Sequence, residues 1–473
     1  MLLSLLFDAM VRPRPRGFSS WYRRPVHLLT VSALFGLFLA ASGNALVAGL
    51  LAIAPIALLA VVSNAKNRML GEPLLFSDLA LVAALFRHPR FYFTAISAGQ
   101  RIALLIAPFV LLIALVELFV TRAQPHLIGL ALLLGSFMLL AWRLHTMARE
   151  GHGAVPDAVA DVQRHGLIAT LLLYWLRWRG TPDPAACAPL AAEGLDAVGL
   201  VVVVQCESFA DPVALTGDTG LALPGLGAAR KLAWQWGELE VSGFGAYTMR
   251  TEYGVLFGRS EEALGFRRYD PFLTALGETS YALPARLRDG GYRSLFVHPH
   301  DMRFYGRDRL MPAIGFHQLI GEESFAPVPA GARYVDDGTL GKAITGLIDA
   351  AVGPTLVYAV TMENHGPWSK DRLTGSPGGL EAYMRHLRSS DAMLSGLIDH
   401  LRTSGRAAML VFFGDHRPSI PGVTEPGGAR HTPYVMIRTT ASGEIVTGAN
   451  RRVDLTPDGL HHAILEGVSR PVG

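Results

Sequence analysis

Two kinds of hydrophobic pattern divide this chain. Residues 26–63 are almost unbroken apolar sequence, interrupted only at Ser42-Gly43-Asn44. That run is too long for one membrane crossing, whose core takes about 20 residues, so it predicts two helices, 26–42 and 45–63, joined by a tight turn. Two further runs, 101–121 and 127–146, flank Pro125. From about residue 198 the apolar segments shorten to strand length and alternate with helical or loop stretches. That alternation predicts an α/β domain whose mostly parallel sheet is covered by helices.

The pattern therefore predicts a polytopic α-helical membrane domain over 1–150, an interfacial helix and linker over 151–197, and an α/β domain over 198–473. Composition agrees: half of the residues are hydrophobic and 17% are charged, against about 25% in an ordinary soluble domain. The net charge of +3 shows no nucleic-acid footprint. Basic residues bracket the first hairpin: Arg12, Arg14, Arg16, Arg23 and Arg24 precede it, beside Trp21 and Tyr22, and Lys66, Arg68, Arg87 and Arg90 follow it. Both segments are cytoplasmic by the positive-inside rule. Four spans then return the chain to the inside. The remaining candidate for a fifth crossing, GLIATLLLYWL at 166–176, is short and flanked by Arg164, Arg177 and Arg179, as an interfacial helix would be. Glu117 sits near the end of the third run, within reach of the headgroups.

The strands of the second half end in polar chemistry. GLVVVVQCE ends in Glu207, SLFVHPH in His298 and His300, TLVYAVTMENH in Glu363, Asn364 and His365, and AMLVFFGDH in Asp415 and His416. Continuous apolar strands are buried on both faces, and ligands of open α/β sheets bind beyond the carboxyl ends of the strands. Four segments thus bring acids and imidazoles to one sheet edge. Such a set suits Zn²⁺, Mn²⁺ or Mg²⁺. The Gly-rich stretch VSGFGAYTMRTEYG places Thr248 at a helix start, where free N–H groups favour an anion. A threonine hydroxyl there is either a plain helix cap or a nucleophile activated by a metal. Cys187 and Cys206 form no CxxC pair, and Cys206 reads as a small buried hydrophobe. His400, His461 and His462 lie in helical contexts and read as structural.

Set together, these pieces resemble the alkaline phosphatase/sulfatase superfamily, and within it the membrane-anchored lipoteichoic acid synthase and periplasmic-glucan phosphoglycerol transferase branch. The resemblance rests on Gln205-Cys206-Glu207-Ser208-Phe209, on Thr248 followed four residues later by Glu252, on VHPHDMRFYGRD, on TMENHGPW and on FFGDHRP, and it covers about residues 195–440. It implies one divalent cation, Mn²⁺ by preference, held by Glu207, Thr248, Asp415 and His416. It implies Thr248 as the nucleophile, with Thr251 as a minor rival, and His365 and His298 as proton-transfer groups. His300, Tyr305 and Arg307 would hold the headgroup of an anionic phospholipid donor, phosphatidylglycerol, and the acceptor would be a glycan hydroxyl. The location implied is a bacterial inner membrane with the catalytic domain in the periplasm. Phosphoethanolamine transfer and metal-dependent phosphodiester hydrolysis are alternatives on the same residues, and a non-catalytic receptor is a third. Three positions depart from the branch: Met249 and Arg250 follow the threonine where small or acidic residues are expected, and His300 stands at a carboxylate position. The Cys187-Ala188-Pro189-Leu190-Ala191 run lacks the arginine of the formylglycine signature, so the sulfatase likeness is one of fold and not of reaction.

Overall fold

The computed structural model describes residues 2–14, 23–80, 116–191, 198–329, 331–368 and 379–470, with isolated positions between 102 and 113. The predicted span 101–121 lies largely outside the described residues, as do Arg16, Trp21, Tyr22, Arg87 and Arg90. Glu117 is described and exposed. The chain forms two compact units, Met1–Thr181 and Pro182–Gly473.

In the first unit, helical segments Arg24–Ser42, Ala45–Leu70 and Ala123–Arg149 are long and apolar enough to cross a membrane. Each outlasts its apolar run, because polar residues at the run's end continue the helical backbone. Asn44 starts the second helix by accepting from the Leu46 and Val47 N–H groups. Gly71, in the left-handed region at φ 74°, ends it. A Cβ on Gly36 would strike the backbone of Leu133, and one on Gly129 the backbone of Ala40. Small residues here let two apolar helices touch backbone to backbone. Helix Leu167–Arg179 buries Leu167 to Leu171, Leu173 and Tyr174 within this unit.

The predicted linker does not hang free. Its residues 182–191 belong to the second unit. Cys187 N–H donates to Ser280 Oγ, Leu190 N–H to the Arg286 carbonyl, and Tyr281 Oη to the Ala185 carbonyl. Asp183 pairs with Arg267 at 2.8 Å. Low hydropathy hid this because the attachment is polar and largely through the backbone.

The second unit is built on a sheet of order β4-β3-β5-β1-β6-β7-β2-β8. The strands are β1 (Leu200–Cys206), β2 (Gln235–Glu240), β3 (Arg293–Val297), β4 (Gln318–Ile320), β5 (Thr355–Val360), β6 (Ala408–Gly414), β7 (His431–Thr439) and β8 (Arg451–Arg452). β4, β3, β5, β1 and β6 run parallel; β7 is antiparallel to β6 and to β2. Every residue of β1, β5 and β6 is buried. Along β1, Val201 and Val203 enter one hydrophobic layer while Leu200, Val202, Val204 and Cys206 enter the other. This is the period-2 alternation of a strand with helices on both faces. Helix Thr248–Phe257 packs on the first face and helices Asp337–Asp349 and Gly379–Thr403 on the second.

Candidate metal centre and nucleophile

The register of the sheet delivers the site. Cys206 of β1 stands beside Gly414 of β6, so the residues after each strand, Glu207 and Asp415-His416, emerge side by side. Asp415 N–H donates to the Cys206 carbonyl, closing the two strand ends together. The approach is tight: a Cβ on Gly414 would collide with the Phe209 carbonyl oxygen. Ser208 turns the chain at φ 51°, unusual for a residue with a side chain. It is held there by its N–H on Asp415 Oδ1 at 2.8 Å and by Tyr383 Oη on its carbonyl at 2.9 Å.

Glu207, Asp415 and His416 each offer a ligand atom, and those atoms lie within 4.8 Å of one another. All three residues are buried. His416 Nε2 is 3.3 Å from Glu207 Oε1 and 3.6 Å from Asp415 Oδ2. Burial and the neighbouring Glu207 carboxylate push the Asp415 carboxyl up to about 7. Burial also opposes charge on Glu207, but His416 and His365 outweigh it and hold that carboxyl at about 2. His416 is driven down by burial and up, more strongly, by Asp415 and Glu207, to about 9. Asp415 Oδ1 accepts from the Ser208 and His416 N–H groups, whereas Oδ2 is buried and accepts no hydrogen bond among the described residues. A buried carboxylate oxygen without a donor, facing a second carboxylate and an imidazole, fits a divalent cation.

Thr248 joins this cluster: its Oγ1 donates to Glu207 Oε2 at 3.5 Å. It opens the helix Thr248–Phe257, after Tyr247 in the left-handed region at φ 70°. Gly245, at φ 62°, makes the preceding turn and ties it to the second strand end by donating to the Arg417 carbonyl. Thr251 is fully buried, and its Oγ1 accepts from the Ser242 N–H group. Of the two threonines, Thr248 is the one beside the acids.

His298 and Arg307 belong to a second buried network. Arg307 donates from Nε to Glu252 Oε1 at 3.0 Å and from Nη2 to Glu252 Oε2, and its Nη1 is 3.3 Å from His298 Nε2. His298 Nδ1 donates to the Val360 carbonyl at 3.1 Å. The ring thus holds one proton, on Nδ1, and accepts at Nε2. Burial and Arg307 drive its pKa well below the ordinary histidine range. Gln205 Nε2 donates to Glu252 Oε2 at 3.4 Å, and Tyr358 Oη to Gln205 Oε1 at 2.9 Å. Sequence reading noted Glu252 only by its spacing from Thr248 and did not anticipate its partner, 55 positions away. A carboxylate on the buried side of the helix Thr248–Phe257 was the available signal.

His300, Tyr305 and His365 are partly buried. His365 Nδ1 is 2.8 Å from the Gly366 carbonyl, which makes Nδ1 the donor of that bond. His300 lies 6.0 Å, centroid to centroid, from Tyr334 and 5.8 Å from His298, and burial lowers its pKa to about 4. Tyr305 packs against Phe304 at 4.3 Å, under the Arg307 guanidinium at 5.2 Å.

A mostly parallel sheet with a cation-ligand cluster and a hydroxyl at its carboxyl edge defines an α/β metalloenzyme scaffold. The Sulfatase family profile matches residues 200–464, more than half of the chain, and the chain belongs to that family. It is 27% identical over 471 residues to the capsular polysaccharide biosynthesis protein RkpI of Rhizobium meliloti (strain 1021), covering 94% of this chain and 86% of that protein. It is also 27% identical over 240 residues to a putative cyclic β-1,2-glucan modification protein of the same organism. That match spans 48% of this chain and little more than a third, 37%, of the relative. Among solved structures it is similar to the integral membrane lipooligosaccharide phosphoethanolamine transferase A (EptA) of Neisseria meningitidis. The TM-score is 0.51 at 12% identity, over 94% of this chain and 95% of that one. At that identity the likeness is one of fold.

Proposed function

We propose that this protein is a membrane-anchored, metal-dependent phosphotransferase that moves phosphoglycerol from phosphatidylglycerol to a glycan hydroxyl. The observation that carries the reading is the Thr248 hydroxyl directed at Glu207 within the Glu207–Asp415–His416 cluster. The named relatives, a capsular polysaccharide biosynthesis protein and a putative glucan modification protein, support a glycan as acceptor. The phosphoglycerol group rests on the sequence resemblance of the 205–209, 298–308 and 361–368 motifs.

Glu207, Asp415, His416 and the Thr248 oxygen would hold the cation. When bound, it supplies positive charge that lowers the pKa of a hydroxyl and offsets charge on a phosphoryl oxygen. Thr248 Oγ gives up its proton to solvent and attacks phosphorus; the bond from phosphorus to the diacylglycerol oxygen breaks. His365, protonated at Nε2, gives that oxygen its proton. In the second half, neutral His365 takes the proton of the acceptor hydroxyl, which attacks phosphorus and releases Thr248, whose oxygen takes a proton back from solvent. His298, fixed as an acceptor, positions Arg307 and the donor headgroup. It does not shuttle protons. Tyr305 and His300 flank the same region.

We place the catalytic unit outside the cytoplasm. Among the described residues three helices have membrane length, and an odd number of crossings from a basic cytoplasmic segment leaves the following chain outside. A reporter fused after residue 180 that is active only outside the cytoplasm supports this side, and cytoplasmic activity contradicts it.

The function is tested with phosphatidylglycerol and phosphatidylethanolamine vesicles, Mn²⁺ and full-length protein. Diacylglycerol release from phosphatidylglycerol, lost on chelation and in Thr248→Ala, is the expected result. Release from phosphatidylethanolamine alone assigns the other headgroup and contradicts the phosphoglycerol reading.

A further inference from the structure

Glu363 is one of the acids that a strand end brings to the sheet edge, and the structure gives it a task other than holding the cation. It is not among the residues whose ligand atoms gather in the Glu207–Asp415–His416 cluster. Its Oε2 accepts from the Asp337 N–H group at 2.6 Å, and its Oε1 from His386 Nδ1 at 2.8 Å. Asp337 opens the helix Asp337–Asp349, where free N–H groups favour a carboxylate. Ser390 Oγ donates to Asp337 Oδ2, so helix Gly379–Thr403 holds the same point through Ser390 and His386. The start of one helix is thereby tied to the turn after β5, two residues before His365.

That tie fixes what stands in front of the helix. Tyr334 lies three residues before Asp337; Val335 between them is buried, and Asp336 caps the helix by accepting from the Thr339 N–H group. The Tyr334 ring meets the His365 ring edge-on, at 5.7 Å between centroids and 74° between planes, a favoured aromatic geometry. Its Oη is 3.5 Å from His365 Nδ1, too long for a strong hydrogen bond. The ring, more than the hydroxyl, therefore bears on the imidazole, whose Nδ1 is already bonded to the Gly366 carbonyl at 2.8 Å. The same ring stands 6.0 Å from His300, beyond the end of β3. One side chain thus adjoins imidazoles from the β3 and β5 ends, while the ends of β1 and β6 supply the metal cluster.

We propose that Tyr334 is a positioning residue for His365, held by the Glu363–Asp337–His386 tie, and that it directs the His365 imidazole at the leaving oxygen of the donor. The inference rests on the transferase reading above, with His365 as its proton-transfer group. Leaving groups test it, because proton donation matters for an alkoxide such as that of diacylglycerol and little for a group that departs as a stable anion. Full-length protein with Mn²⁺ is given phosphatidylglycerol vesicles or the 4-nitrophenyl ester of glycerol phosphate, and the first turnover is followed. Expected for Tyr334→Leu is a loss of about tenfold or more in diacylglycerol release, with 4-nitrophenol release within about threefold of wild type. Tyr334→Phe, which keeps the ring, should stay within about threefold of wild type on both donors. Glu363→Gln, which weakens the tie, should show the donor-selective loss to a smaller extent. Melting temperatures check that all three variants fold. Equal losses on both donors, no loss on the lipid, or a Tyr334→Phe as slow as Tyr334→Leu overturns the positioning role, and a Glu363→Gln indistinguishable from wild type overturns the tie. Labelling of His365 by diethyl pyrocarbonate, mapped by peptide mass, needs no turnover: its rate should rise several-fold in Tyr334→Leu and not in Tyr334→Phe. That labelling pattern, with a wild type that turns over neither donor, supports the contact and contradicts the transferase reading. Diacylglycerol release with labelling indifferent to Tyr334 does the reverse.

Discussion

Arg307 and Glu252 form a doubly hydrogen-bonded ion pair at which each side chain is 2% exposed or less. It joins the helix that begins with Thr248 to the helix Arg307–Ala313, and through His298 Nε2 to the end of β3. The arginine named from sequence as a headgroup contact is thus already engaged by a carboxylate on the nucleophile's own helix.

Removing one partner of such a pair strands a buried charge. Glu252→Gln is expected to destabilise the protein by about 3–5 kcal/mol and to lower turnover. The double variant Glu252→Leu/Arg307→Met is expected to regain much of the stability and none of the activity. Denaturant unfolding followed by hydrogen exchange of the β3 and Thr248–Phe257 amides checks both; a stable, fully active Glu252→Gln would contradict the positioning role.

Cation binding is expected to stabilise the fold. A ligand that binds only the native state at about 100 times its dissociation constant adds about 2.7 kcal/mol. Melting temperature should therefore rise with Mn²⁺ and fall with chelator. Asp415→Asn, which removes the anionic Oδ2 facing the cluster, should abolish that rise. Isothermal calorimetry with Mn²⁺ on the two proteins gives an independent readout.

The nucleophile assignment separates two threonines. Thr248→Ala should reduce diacylglycerol release by about 10³-fold or more, while Thr248→Ser retains part of it. Thr251→Val should keep turnover within about tenfold and act mainly through stability, because its hydroxyl serves the Ser242 N–H group. Steady-state rates on phosphatidylglycerol vesicles check the three.

Stability should fall on the acid side through buried neutral histidines. His461 donates from Nδ1 to the Val255 carbonyl, and burial lowers its pKa from 6.5 to about 3. The unfolded chain takes up that proton near pH 6.5 while the folded chain does not. This contribution is therefore complete above 6.5 and is lost as pH falls towards 3. A single group changes stability by at most about 1.4 kcal/mol per pH unit. His300, lowered to about 4, acts in the same direction. The slope of unfolding free energy between pH 6 and 4 should be shallower in His461→Gln than in wild type.

The parts of the site that lie at strand ends were legible in the sequence. An apolar run of strand length followed at once by Glu207, or by Asp415-His416, predicts its own place on the sheet edge, and those residues do converge. Pairings across the fold were not legible. Nothing local links Glu252 to Arg307 or Asp183 to Arg267, because each pairing is created by tertiary packing and not by periodicity. The Pro/Ala-rich segment after residue 181 reads as a linker for the same reason: its attachments are hydrogen bonds from its backbone and the Asp183 ion pair, to which hydropathy is blind.

The central claim is a covalent phosphoglycerol on Thr248. Intact mass and peptide mapping of the full-length protein, incubated with Mn²⁺ and phosphatidylglycerol and no acceptor, test it directly. The account predicts a glycerophosphate adduct on the Thr248 peptide, with one diacylglycerol released per adduct and neither product in Thr248→Ala. Diacylglycerol release with Thr248 unmodified and Thr248→Ala still active would contradict it.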